Sequence, residues 1–292
     1  MATQDIASGV SRIYRQRCCI KDDEHLMQLE ADDVAIEEPL QISLQWFDPA
    51  QNDFIQREWS LTMRTPGSDI ALVRGLLLTQ QVITSLDDVE SIAPFDSEQS
   101  HFHNHLLVSL KKGIEPDWST LERSYASQSS CGICGMTSMR SLCLTRPVSI
   151  DETAGWLKSE AVLQMPSQLR NQQQLFAQTG AVHGAGLWTG ENLVQIAEDV
   201  GRHNALDKLI GQIYHQGLWQ PQSVLVLSGR VSFELVQKAM LASIPVIVAV
   251  GAPSSLAVDM AKQFNMTLIG FTKTRQFNVY HGHWRLTQDA AR

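Results

Sequence analysis

The sequence predicts an α/β fold, a mixed and largely parallel sheet covered on both faces, on three observations. From residue 192 onwards, short apolar runs alternate with runs of helical periodicity. The connections "EDVGR", "SGRVS" and "GAPSS" are polar and contain glycine or proline, as expected where strands of such a sheet end. Upstream, "LQISLQWF" alternates apolar and polar residues, which predicts a smaller, β-rich N-terminal lobe. The expected division is a polar, loosely held extension over 1–30, a β-rich lobe over about 31–125 and an α/β lobe over about 126–292.

The elements follow in order. Short strands are expected over 31–63. In "TPGSDIALVRGLLLTQQVI", Ile70, Val73, Leu76 and Leu77 fall at helical spacing, with Ser68 as the N-cap. "HFHNHLLVSL" reads as a strand, and the polar "STLERSYASQSS" leads into a loop. "NLVQIAED" predicts a strand and "RHNALDKLIGQIYHQG" a helix closed by Gly217. "SVLVLSG", "IPVIVAV" and "MTLIGF" predict strands, and "SFELVQKAMLA" and "SSLAVDMAKQF" the helices between them.

With 292 residues, 43% hydrophobic and 18% charged, the chain can bury a substantial core. A net charge of −8 argues against a general nucleic-acid partner. No apolar run reaches membrane-spanning length and no signal-like core opens the chain, so a cytoplasmic protein without a membrane partner is expected. Five cysteines without a dense spacing pattern suit a reducing compartment.

The most informative stretch is "QSSCGICGMTSM", residues 128–139, with Cys131 and Cys134 flanked by Gly132 and Gly135. As half a zinc site the pair needs two more ligands. Cys143 is the only later cysteine, and His101, His103 and His105 alternate on one expected strand. A zinc deaminase would place His-x-Glu ahead of Pro-Cys-x-x-Cys; Ser130 stands at the proline position and no His-x-Glu precedes it. A thioredoxin-type pair needs different surroundings. The third use is nucleophilic: a thiolate takes a terminal sulfur from a persulfide and hands it on.

Three further motifs carry polar residues where strands end. "GAVHGAGLW" places His183 among small residues, either as a ligand contact or as a histidine satisfied within a strand. "AEDVGRHNALDK" sets Arg202, His203 and Asn204 beside Glu198, Asp199, Asp207 and Lys208. "LSGRVSFELVQK" puts Ser228, Gly229 and Arg230 between a strand and a helix, an arrangement suited to anions, although the P-loop pattern is absent. Together they describe one phosphate-friendly crevice.

"SSCGICG", "AEDVGRHNALDKLIG", "SGRVSFELVQKA", "IPVIVAVGAPSSLAVDMA" and "TLIGF" resemble the FdhD family, the formate dehydrogenase accessory sulfurtransferases. The resemblance is dense from about 127 to 281 and looser before, where "EEP" and "MRTPGSDIALVRGLLLTQQVI" match in outline. The chain departs from the family at Gly180-Ala181, where two glycines are usual, and at "RGLLLTQQ" and "WFDPAQND". The resemblance implies a cytidine-deaminase-like three-layer core without zinc chemistry. It implies transfer of sulfur from a cysteine desulfurase to the molybdenum bis(guanine dinucleotide) cofactor of formate dehydrogenase, a substrate that GDP mimics in part. Cys131 matches the persulfide-bearing cysteine and Cys134 its companion. Phe271, Thr272, Lys273, Thr274, Arg275 and Gln276 fall at the family's cofactor-binding stretch, and the crevice residues His183, Arg202, His203, Asn204, Ser228 and Arg230 are expected to join them. A homodimer is expected. The alternatives are a non-catalytic cofactor-binding chaperone and a metal-binding redox protein.

Overall fold

A computed structural model describes residues 4–5, 9–21, 24–95, 104–118 and 150–287. Cys131, Cys134, Cys143, His101 and His103 lie outside them.

The first element pair corrects an expectation. β1 (Gln4–Asp5), β2 (Val10–Lys21) and β3 (Glu24–Ala35) form a three-stranded sheet in that order. Residues 10–35 are therefore a long hairpin, and residue 30 falls inside β3. The polarity that suggested a loose extension belongs to cross-strand ion pairs: Arg12 meets Asp33 at 2.9 Å and Arg15 meets Asp32 at 2.8 Å.

β4 (Glu38–Asp48), β5 (Asp53–Arg64), β6 (Val89–Pro94) and β7 (His105–Leu110) make a four-stranded sheet ordered β5-β4-β7-β6. Leu40, Ile42, Leu44 and Trp46 alternate along β4 and are all buried, as the period of two requires. They pack with Leu72, Val73, Leu76 and Leu77 of α1 (Asp69–Thr79). Ser68 does not cap this helix with its side chain. It sits in the left-handed region (φ 57°), so only its carbonyl serves, accepting from Leu72 N at 2.9 Å. Ile70, expected on the buried face, is exposed.

The C-terminal lobe contains α2 (Ser159–Gln172), α3 (Gln174–Thr179), β8 (His183–Thr189), β9 (Asn192–Asp199), α4 (Arg202–His215), β10 (Val224–Leu227), α5 (Phe233–Leu241), β11 (Val246–Ala249), α6 (Ser255–Gln263), β12 (Thr267–Gly270) and β13 (Asn278–His281). Its six-stranded sheet runs β13-β12-β11-β10-β8-β9. The sheet is mixed, and less parallel than the sequence predicts: only β10–β11 and β11–β12 are parallel. β8 and β9 are joined by a two-residue turn at Gly190 and Glu191, too short for a crossover, so they pair antiparallel. Gly217 does close α4: it takes φ +66°, and Leu218 N donates back to Ile213 O at 2.9 Å.

Successive residues of the central strands face opposite layers. Leu225, Leu227, Ile247 and Leu268 join the core shared with α4, α5, α6 and the N-terminal lobe. Val224, Val226, Val246, Val248 and Ile269 pack on the other face, with Val162, Met165 and Leu169 of α2.

The two lobes meet where α1 crosses α4. A Cβ added to Gly75 would fall on the carbonyl oxygen of Asp207, and one added to Gly211 on that of Ala71. The helices touch backbone to backbone because both positions lack a side chain. Beside the crossing, Asp207 accepts from Thr79 Oγ1 at 2.8 Å and from Lys238 Nζ at 2.8 Å.

Gly75→Ala should destabilise the protein by about 3 kcal/mol or more, since the clash is with backbone and outweighs the ~1 kcal/mol gain in helix propensity. Urea denaturation checks this; an unchanged midpoint would mean that the helices separate at no cost. A second outcome concerns pH. Burial pushes the imidazoles of His105, His183 and His281 below the ordinary 6.5. The unfolded chain then binds more protons, so stability should fall as pH drops through 6.5. Denaturation midpoints followed from neutral pH downwards test it; a flat profile through that window would contradict it.

Candidate functional site

A cleft of about 630 Å³ opens at the carboxyl ends of β10 and β11 and the start of β8. His183, Ser228, Val250, Lys273 and Thr274 line one side. Leu163, Pro166, Arg170 and Phe176, from α2 and α3, line the other. The strand ends supply this position because the β10–α5 and β11–α6 connections both leave the sheet there. Gly251 lets those connections touch: a Cβ on it would lie 2.7 Å from Arg230 N.

His183 is the first residue of β8 and is half-buried against Gly229, whose added Cβ would stand 3.3 Å from His183 Nδ1. Burial pushes its imidazole down first. The positive charges of Arg202, His203 and Arg230 push further, and Asp199 opposes them. The structure thus gathers four of the expected residues around one point. Arg202 opens α4, and its Nε is shielded from solvent with no hydrogen-bond partner among the described residues. His203 Nε2 lies 2.7 Å from Glu234 Oε2 and 3.3 Å from Ser232 Oγ. The hydrogen bond from His203 holds the Glu234 carboxyl below its ordinary value.

Other expected residues are used differently. Asn204 is buried and donates to Met63 O at 2.7 Å, tying α4 to β5 rather than facing the cleft. Ser228 Oγ accepts from Gly184 N at 2.8 Å, which fixes the end of β10 to β8 at the cleft wall. Thr272 is buried, its Oγ1 without a partner among the described residues. Phe271 adopts φ 51°, unusual for an aromatic residue, and remains exposed beside the β11–α6 connection, where its N–H donates to Gly251 O at 3.1 Å. Lys273, Thr274, Arg275 and Gln276 form an exposed turn closed by Lys273 N to Gln276 O at 2.8 Å; Arg275 and Gln276 do not line the cleft.

The remaining charges of "AEDVGRHNALDK" are structural. Asp199 is fully buried and pairs with Lys208 at 2.8 Å, and Lys208 Nζ also donates to Thr65 O at 2.7 Å. Glu198 accepts from Leu175 N and Phe176 N, both at 2.9 Å, at the start of α3. His105 is also structural, with Ser43 Oγ at 2.9 Å and the Phe95 ring centroid at 4.7 Å. Among the described residues, no group of three or more His, Cys, Asp or Glu could hold a metal ion. No described helix is long and apolar enough to cross a membrane.

Sequence reasoning missed three residues. Arg170 places its guanidinium carbon 3.5 Å from the centroid of the Phe176 ring, a cation–π contact in the cleft wall. Both belong to the layer opposite the motifs, and no local pattern ties them to His183. Glu234 had a local signal: it stands in the first turn of α5, four residues after Arg230.

The FdhD/NarQ family model matches residues 35–287. The sulfur carrier protein FdhD of Streptomyces avermitilis is 39% identical over 288 residues, covering 97% of this chain and 99% of the relative. Its namesake from Mycobacterium tuberculosis is 37% identical over 262 residues, covering 87% and 91%. A crystal structure from Desulfotalea psychrophila, assigned as a formate dehydrogenase accessory protein, superimposes with a TM-score of 0.67 at 25% identity, covering 94% of this chain and 99% of that one. With the family model matched over most of its length and relatives of this identity spanning it, the chain belongs to the FdhD/NarQ family.

Proposed function

We propose that this protein is a cytoplasmic sulfurtransferase that carries sulfane sulfur from a cysteine desulfurase to the molybdenum bis(guanine dinucleotide) cofactor of formate dehydrogenase. Family membership supports the carrier role, since relatives are named sulfur carrier proteins and the matched crystal structure is assigned as a formate dehydrogenase accessory protein. The observation that carries the cofactor reading is the gathering of His183, Arg202, His203 and Arg230 beside a cleft that Lys273 also lines. This is a cationic rim on an otherwise apolar-walled cleft, the arrangement a nucleotide's pyrophosphate and base require. In this reading a cytidine-deaminase-like core is used without zinc.

The chemistry assigned to Cys131 is thiolate exchange. Its thiolate attacks the terminal sulfur of the desulfurase persulfide, the desulfurase thiolate leaves, and Cys131 holds the sulfur as its own persulfide. Passing that sulfur to the bound substrate regenerates the thiolate, with Cys134 as the companion thiol. Mass spectrometry after incubation with a cysteine desulfurase and cysteine should find one added sulfur on Cys131. Cys131→Ala should lose it together with activation of formate dehydrogenase. Activation that survives Cys131→Ala would remove this residue from the role; activation lost without any persulfide on the wild type would favour a non-catalytic chaperone.

GDP should occupy the cleft. A charge-assisted phosphate contact contributes roughly 1.5–3 kcal/mol, so Arg230→Ala should weaken GDP binding about tenfold or more by calorimetry. Arg230 is exposed and its loss should leave the fold intact, which circular dichroism verifies. Equal affinities would take Arg230 out of the site.

A further inference from the structure

The β2–β3 hairpin gathers metal-ligating side chains that the sulfur chemistry assigned to Cys131 does not use. Opposite residues of an antiparallel pair share a face. The register sets Cys18 opposite Met27 and Ile20 opposite His25, so Cys18, His25 and Met27 project from one face near the end of the hairpin. Cys18 Sγ lies 4.0 Å from His25 Nδ1. All three side chains are exposed, Met27 by 60%. The Met27 thioether ends an unbranched, flexible chain, which lets its sulfur swing onto the facing Cys18.

We propose that Cys18, His25 and Met27 form a three-coordinate site for a soft monovalent cation, Cu(I). The donors select the ion. A thiolate, a thioether and an imidazole suit Cu(I), whereas carboxylate and carbonyl oxygens suit Mg, Ca and Mn. The hairpin keeps its carboxylates away from this set. Glu30 and Asp32 lie on the opposite face, paired with Arg17 and Arg15. Asp33 shares the face but stands toward the other end of the hairpin, paired with Arg12 at 2.9 Å. Cys19 faces the other side, opposite Leu26, and takes no part.

The geometry separates Cu(I) from Zn(II). First-row ions hold sulfur at about 2.3 Å and imidazole nitrogen at about 2.0 Å, so at a tetrahedral angle the two donors stand about 3.5 Å apart. The 4.0 Å between Cys18 and His25 needs an angle of about 135° at the ion with the same bonds. That open angle belongs to a two- or three-coordinate ion. No third His, Cys, Asp or Glu joins Cys18 and His25 among the described residues, so the third donor is the thioether. On binding, the Cys18 thiol gives its proton to solvent and the thiolate donates an electron pair to the ion, with no change of oxidation state. The bound ion links β2 to β3 near the end of a hairpin that is marginal on its own.

Anaerobic titration with Cu(I) against the chelator bicinchoninate tests this. The full chain carries Cys131→Ala, Cys134→Ala and Cys143→Ala, which removes every thiol outside the hairpin. It should bind one ion per chain, and copper X-ray absorption should show two sulfurs and one nitrogen. Cys18→Ser should weaken binding about a hundredfold or more, and His25→Gln and Met27→Leu about tenfold each. Cys19→Ser should bind like its parent. These side chains are exposed or half-buried, so the fold should survive each change, which circular dichroism verifies. No binding, half an ion per chain, or equal losses in Cys18→Ser and Cys19→Ser would overturn the site. So would full affinity in both His25→Gln and Met27→Leu, which would leave a bare thiol. Zn(II) binding as tight as Cu(I) would overturn the choice of ion.

Discussion

The contact of α1 with α4 through Gly75 and Gly211 governs the rest of the molecule. Two helices that touch at the backbone have no side-chain layer to slide on, so their relative position is set to within a fraction of an ångström. α4 begins at Arg202 and His203, and its placement brings the charges of both to bear on His183 at the start of β8. The N-terminal lobe thereby positions residues of a site that lies in the C-terminal lobe. Two buried ion pairs secure the same helix: Asp207 with Lys238, and Asp199 with Lys208. Such pairs add little net stability, but losing one partner strands a buried charge, which makes the arrangement hard to deform.

The local charge at the cleft opposes the charge of the whole chain. The net charge is −8, yet Arg202, His203 and Arg230 converge on His183. A concave site with low-dielectric walls responds to the nearest charges more than to distant surface ones, so the potential beside His183 is set by these neighbours and not by the net charge of the chain. Glu234 moderates the cluster by pairing with His203, and Arg202 Nε has no hydrogen-bond partner among the described residues. The cluster is thus only partly neutralised from within.

The arm follows a different physical rule from the body. In the body, apolar residues alternate into a core that both lobes share, with Leu40 to Trp46 on β4 meeting Leu72 to Leu77 on α1. In the arm the same alternation produces a face whose Tyr14, Ile20, Met27 and Leu29 are exposed among the described residues. Ion pairs on its other face hold the hairpin register, because a one-residue slip would turn Arg15 and Arg17 onto the apolar side.

The sequence by itself determined β9 to β12 and α4 to α6 of the C-terminal lobe, because periodicity and turn chemistry are local: Gly217 ends α4, and "VLVL" and "VIVA" fill β10 and β11. It also marked the strand-end motifs, since Arg202, His203, Ser228 and Arg230 cluster within short stretches of chain. The family resemblance was legible for the same reason. Which polar residues face the cleft was a tertiary matter: Asn204 and Arg202 are two positions apart on one helix, yet Asn204 is turned to the Met63 carbonyl, with Thr62 beside it, while Arg202 stays at the site. Arg170 and Phe176 reach the cleft from the opposite layer, a proximity that no spacing encodes. The direction of β8 and β9, and the hairpin over 10–35, depended on short turns and cross-strand charge pairs, because pairing is decided by the partner strand and not by the strand itself.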